Sequence, residues 1–109
     1  MSLTLAEIMA KVPQAFVPAK AGDMNAIVHF KFTGAEAGEW NATIRDGTCQ
    51  VAQGIPRSRP TITVAADSDD FRRMVTGRLD PTRAFMEGRL KLTGNTELAI
   101  KLVSIFRMP

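Results

Sequence analysis

The apolar positions of this chain change period along its length, and those changes mark out its elements. Leu5, Ile8, Met9 and Val12 recur at three- and four-residue intervals behind Thr4-Leu5-Ala6-Glu7. That tetrapeptide is a capping box, in which the threonine hydroxyl and the glutamate carboxylate each accept from the other residue's backbone N–H. A first helix is predicted, weakened at Pro13 and ended by Pro18, with a loop over 18–25. From Ala26 the period drops to two: Ala26, Val28, Phe30 and Phe32 share one face, and Ile27, His29 and Lys31 the other. Trp40, Ala42 and Ile44 alternate in the same way with Asn41, Thr43 and Arg45. Asp46-Gly47 then reads as a type I′ hairpin turn, which pairs Arg45 with Thr48 and Ile44 with Cys49. After a loop over 54–60, Thr61 to Ala65 form a fourth strand, and antiparallel neighbours with a polar outer face are expected.

The last third returns to helical spacing. Asp67-Ser68-Asp69-Asp70 starts a helix carrying Phe71, Met74, Val75 and Leu79 on one side, with Gly77 as its stop. Asp80-Pro81 starts a short one closed by Gly88. Arg89 to Thr93 form a fifth strand with Leu90 and Leu92 inward. A closing helix follows, with Leu98, Leu102, Ile105 and Phe106 on its stripe. The fold class expected is α+β: a five-stranded, mostly antiparallel sheet covered on one face by about four to five helices.

Length and composition add bounds. The chain has 109 residues, 45% hydrophobic and 23% charged, ordinary values for one globular domain able to bury a core unaided. No stretch has the ~18 consecutive apolar residues of a membrane span. The opening residues lack the basic and apolar regions of a signal peptide, and one cysteine cannot make an internal disulfide, so the expected location is the cytoplasm. The net charge of +3 is uneven, with 4 basic and 5 acidic residues up to residue 54 and 10 basic and 6 acidic beyond it. A basic half of this kind suits an anionic ligand or a transient contact with an anionic membrane surface, although the acids interspersed among the arginines make a mixed solvated surface the leading reading.

Candidate chemistry is sparse. His29 is the only histidine, and no His, Cys or Asp cluster has the spacing of metal ligands. Cys49 falls on an inward strand position, where a thiol behaves as a small hydrophobe. Asp67, Asp69 and Asp70 are accounted for by helix capping. Aromatic residues on inward stripes argue against nucleic acid as a partner. The residues therefore point to a non-catalytic protein needing no cofactor and no metal.

One stretch carries a family likeness. Asp70-Phe71, Gly77, Asp80-Pro81, the run from Ala84 through Phe85-Met86-Glu87-Gly88-Arg89-Leu90-Lys91-Leu92-Thr93 to Gly94-Asn95, and Leu98 to Leu102 resemble the sterol carrier protein 2 domain family. Phe30 to Gly34, Gly38 to Trp40 and Asp46-Gly47 match its early strands in order, so the likeness runs from about Leu5 to Phe106. The resemblance implies one sterol-carrier-type domain over 1–109 that binds, and in some members transfers, fatty acids, fatty acyl-CoA esters, sterols or other lipids in an apolar tunnel between helices and sheet. The ending Phe106-Arg107-Met108-Pro109 lacks the peroxisomal tripeptide common in eukaryotic members. The expectation is accordingly a stand-alone, prokaryotic-type member for which a sterol is the less expected ligand.

By inward phase, the tunnel lining would be Trp40, Ile44, Phe71, Met74, Val75, Leu79, Phe85, Met86, Leu98, Leu102 and Ile105. Lys20, Arg57 and Arg59 are the candidates for an anionic headgroup. The competing reading is an interaction or dimerisation module, a homodimer included, that presents apolar substrates to a partner enzyme.

Overall fold

The computed structural model describes residues 4–95 together with 97, 98 and 101. Its elements run α1 (Leu5–Ala15), α2 (Pro18–Ala21), β1 (Ala26–Thr33), β2 (Gly38–Arg45), β3 (Thr48–Gln53), β4 (Ile62–Asp67), α3 (Ser68–Val75), α4 (Pro81–Met86) and β5 (Leu90–Gly94). The capping box of α1 forms as expected, with the Glu7 N–H donating to Thr4 Oγ1 at 3.1 Å and the Thr4 N–H to Glu7 Oε1 at 3.2 Å. The helix passes through Pro13 and stops at Ala15. Residues 18–21 form one helical turn instead of the expected loop, because a proline at the first helical position costs no hydrogen bond. Asp67 and Asp80 cap α3 and α4 as read from the sequence, each accepting from a backbone N–H two residues on. Both helices end in a Schellman closure. Arg78 N–H reaches Arg73 O at 2.8 Å, and Arg89 N–H reaches Ala84 O at 2.8 Å, over Gly77 and Gly88 in the left-handed region.

The five strands lie in the order β3-β2-β1-β4-β5. At the β2–β3 hairpin Asp46 and Gly47 have φ of 52° and 71°, as a type I′ turn demands, and Arg45 pairs with Thr48 and Ile44 with Cys49. The antiparallel neighbours expected for the fourth strand are found on one side only. β4 pairs with β1, and the pairing is parallel, Val28 opposite Ile62 and Phe30 opposite Val64. The other three pairings are antiparallel.

Connecting β3 to β4 takes the chain past two strands and back along their length, so the link must be nearly extended, a conformation that Pro56 and Pro60 favour. It leaves where Asn41 Nδ2 donates to Gly54 O at 2.9 Å. It arrives where the Ile27 N–H donates to Thr61 Oγ1 at 3.1 Å. Asn41 and Ile27 lie on the face turned away from Val28, which makes this the outer face. His29, on that face between the two anchor points, is buried and bonds Glu39 Oε1 through Nε2 at 3.0 Å. The lone histidine therefore holds strand pairing together. The inner face, which α1 and α3 pack against, collects Ala26, Val28, Phe32, Ala42, Ile44, Ile62 and Ala66, all buried.

Candidate functional site

Rows of side chains cross the inner face in register, and their exposure differs from row to row. The row Ala42–Val28–Ile62 is buried, as is the pair Phe32–Ala66 on the other side. Between them runs Trp40–Phe30–Val64–Leu92, spanning four strands, and each of its members is only partly buried. Apolar side chains across the middle of a sheet ordinarily disappear under the covering helices. Here α1 covers the β3 side and α3 the β4 side, and the row crosses the strands beneath them.

Three packed clusters surround this row. At one end Phe16, Val28, Ala42, Ile44, Cys49 and Ile62 pack with Leu98 against them. At the other, Leu5, Met9 and Phe32 pack with Trp40, Phe30 and Phe71. Beneath α3 and α4, Ala66, Met74, Leu79 and Ala84 form the third, again touching Phe71. The Phe71 ring meets Phe30 edge-on at 5.9 Å and Phe32 at 4.9 Å, while Phe30 and Phe32 stack at 5.8 Å. Aromatic pairs at such spacings gain about 0.5–1.5 kcal/mol beyond their buried area, which stiffens this wall of the site.

A polar clasp ties α1, the β1–β2 turn and α3 at the end of the inner face where Phe32 and Ala66 lie. Glu36, in the turn, receives the Leu5 N–H on Oε2 at 2.5 Å and the Arg72 guanidinium on Oε1. Its own N–H donates to Ser68 Oγ at 3.1 Å, and Arg72 Nη1 also bonds Asp69 Oδ1 at 2.6 Å. The carboxylate thus supplements the positive end of α1 while fixing α3.

The expected lining is distributed unevenly. Trp40 and Phe71 come together beside Phe30. Ile44 and Leu98 join the first cluster, Met74 and Leu79 are buried in the third, and Val75 is partly buried. Phe85 and Met86 depart from the inward phase, being 49% and 80% exposed. The reason is that Ala84 takes the inward position of this one-and-a-half-turn helix, at 0% exposure, so the next two side chains turn outward. Leu102 and Ile105 lie outside the described residues. Lys20 is exposed on α2. Arg57 and Arg59 are exposed on the link that crosses the outer face, with the sheet between them and the apolar row. Phe30, Val64 and Leu92 were not singled out for the site by sequence. The inward alternation held their signal, but the pairing that aligns them did not show.

Reactive groups are few. Burial pushes the Cys49 thiol up to about 11. At pH 8 it holds about a hundredfold fewer thiolates than an ordinary cysteine. Labelling of the native protein by an aromatic disulfide reagent is expected to be at least that much slower than labelling of the urea-unfolded chain; comparable rates would place Cys49 in solvent. Among the described residues, no group of three or more His, Cys, Asp or Glu side chains is placed to hold a metal ion, and no helix is long and apolar enough to cross a membrane.

Residues 6–107 match the family model described as the SCP-2 sterol transfer family. Hydroxysteroid dehydrogenase-like protein 2 of Xenopus tropicalis is 39% identical over 79 residues, covering 72% of this chain and 19% of the relative. Peroxisomal multifunctional enzyme type 2 of Mus musculus is 35% identical over 85 residues, 76% of this chain and 12% of the relative. This chain thus spans about a fifth or less of either. Among solved structures, sterol carrier protein 2 like 2 of Aedes aegypti, in its palmitated form, superposes with TM-score 0.73 at 25% identity, covering 96% of this chain and 94% of the other. The sec-alkylsulfatase Pisa1 from Pseudomonas sp. superposes with TM-score 0.82 at 17% identity over 95% of this chain and 16% of that enzyme, a likeness of fold alone.

Proposed function

We propose that this chain, which belongs to the SCP-2 sterol transfer family, binds a fatty acid, fatty acyl-CoA or similar long-chain lipid without chemical change, laying its apolar tail along the Trp40–Phe30–Val64–Leu92 row. Binding or transfer of apolar lipids is the property of the family as a whole. The acyl ligand is our reading, and the partly buried apolar row carries it. Support comes from the mosquito relative solved in its palmitated form.

Apart from the outward Phe85 and Met86, Trp40, Phe71, Val75 and Leu98 are the expected lining residues among those described that retain surface to offer a ligand, with Phe30, Val64 and Leu92 beside them. Ile44, Met74 and Leu79, all buried, would support that lining from behind. A carboxylate headgroup would fall to Lys20, since the sheet separates Arg57 and Arg59 from the row.

Full burial of four methylenes contributes about 3 kcal/mol. Because association and ordering costs offset part of that gain, lengthening the ligand from twelve to sixteen carbons is expected to tighten Kd by about tenfold, or ~1.4 kcal/mol. Trp40 is the only tryptophan of the chain, so its emission reports arrival of the ligand directly. Titration with saturated fatty acids should shift that emission, saturating in the micromolar range with the stated length dependence. No shift, or affinity indifferent to chain length, would remove the proposal.

A second reading follows from the relatives of which this chain covers a fifth or less: the domain presents apolar substrates to an attached or associated enzyme. Native mass spectrometry separates the two. A retained mass of lipid size supports the carrier, and a bare homodimer supports the interaction module.

A further inference from the structure

The α4 turn leaves two large apolar side chains in water on a rigid support. Phe85 is 49% and Met86 80% exposed, yet they do not sit on a loose loop. The helix that carries them is closed at its start by the Asp80 cap and at its end by the Gly88 Schellman closure. Its Ala84 is locked under α3 in a cluster with Met74 and Leu79. Their outward direction is therefore set by the fold. Isolated exposed apolar residues are common and need no explanation. What distinguishes this pair is its collar.

From Asp70 to Lys91 the chain has six basic residues and three acidic ones. Arg72 turns away to the Glu36 clasp. Arg83 lies one turn before Met86, and Arg83 and Arg89 share Glu87 at 3.3 Å each, while Arg89 and Arg73 share Asp70 at 3.7 Å, so three arginines stand over two carboxylates. Arg78, just before the helix, has no ion pair among the described residues. Two apolar side chains amid a surplus of arginine complement a surface that is negative outside and apolar just beneath.

We propose that this turn is where the domain touches an anionic lipid bilayer, with Phe85 and Met86 entering the acyl boundary and Arg78, Arg83 and Arg89 lying among headgroup phosphates. The proposal rests on the lipid-carrier reading, since a carrier must meet the membrane it loads from. A protein partner fits the patch less well. A stable protein interface takes about 800 Å² from each side, whereas two side chains expose a fraction of that. A bilayer accepts isolated anchors, and basic residues near an anionic surface add about one order of magnitude in affinity for every one to two charges.

The test is co-sedimentation of the chain with phosphatidylcholine vesicles and with vesicles containing phosphatidylglycerol. Wild type should bind the anionic vesicles, lose most of that binding in 500 mM salt, and bind neutral vesicles at least tenfold more weakly. The double variant Phe85→Ser/Met86→Ser should lose at least tenfold in partition to anionic vesicles. Arg78→Glu, which leaves the apolar pair intact and changes the charge by two, should lose at least tenfold.

Both variants should keep the Trp40 emission shift on adding fatty acid, which tests the carrier reading separately. Unchanged vesicle binding by the double variant overturns the proposal. So does a matching loss of fatty-acid binding, which would return Phe85 and Met86 to the ligand site. So does a dimer in wild type that the double variant dissolves without altered vesicle binding.

Discussion

Replacing Gly94 by alanine is expected to lower the melting temperature by about 10–15 °C. Two separate costs produce this. Gly94 ends β5 with φ at +107°, a conformation that side-chain-bearing residues occupy at about 1–3 kcal/mol. A Cβ there would also stand 2.6 Å from the Thr61 carbonyl oxygen and 3.2 Å from Ile62 Cα. Neither neighbour can yield easily, because Thr61 O holds the Asn95 N–H and Thr61 N–H holds Ile27 O. The start of β4 is thereby pinned to both β5 and β1. A total near 3 kcal/mol, at about 4 °C per kcal/mol for a domain of this size, gives the stated shift. Gly47 is the control. Its φ of +71° is also unfavourable for alanine, but its Cβ would meet nothing within 4 Å, so Gly47→Ala should lose about 1–2 kcal/mol. Equal losses at the two sites in thermal melts followed by circular dichroism would mean that the close approach at Thr61 carries no weight.

Glu36→Ala should destabilise the fold by about 2–3 kcal/mol in urea unfolding. The substitution leaves Arg72, with only 20% of its side chain exposed, short of its main counter-charge, and leaves the Leu5 N–H without an acceptor. Breaking a fully buried ion pair costs about 3–5 kcal/mol. The figure here is lower because a third of the Glu36 side chain remains in water and Asp69 still holds Arg72. Glu36→Gln keeps an acceptor for Leu5 and removes the charge, so it should lose roughly half as much. The coupling between Glu36→Ala and Arg72→Ala in a double-mutant cycle isolates the pair and should exceed ~1 kcal/mol. A coupling near zero would reduce the clasp to an exposed contact.

Much of this architecture was legible from local chemistry. Thr4 with Glu7, Asp67, Asp80 with Pro81, and Asp46 with Gly47 each carry a backbone instruction within a few residues, and each acts as read. The inward faces of the five strands were legible too, because burial on one side imposes a period of two. Neighbour choice was not. Val64 shows that it faces inward, but nothing within six residues of it says that Phe30, thirty-four positions away, will lie beside it in parallel. The site suffers from the same blindness. Trp40 and Phe71 could be picked out by phase, whereas the row linking Phe30, Val64 and Leu92 exists only once β4 has joined β1. Glu36 reads as an ordinary turn carboxylate until Arg72 and Leu5 converge on it. Phe85 and Met86 were read inward because six residues make too short a helix for a stripe to establish its phase, and the small Ala84 took the buried position.

The parallel seam between β1 and β4 also sets how the chain can assemble. Strands β1 to β3 join through short turns within residues 26–53, and β4 to β5 with their two helices occupy residues 62–94. Each half can organise from contacts close in sequence, but their strands pair only along that one ladder, whose partners are thirty-four residues apart, and the Glu36–Arg72 clasp and the Phe71 contacts with Phe30 and Phe32 also bridge the two halves. Closing so long a loop forfeits chain entropy before any ladder contact offsets it. Docking of the two halves is therefore the expected slow step of folding, and the apolar row, which has members in both, is complete only once they have met.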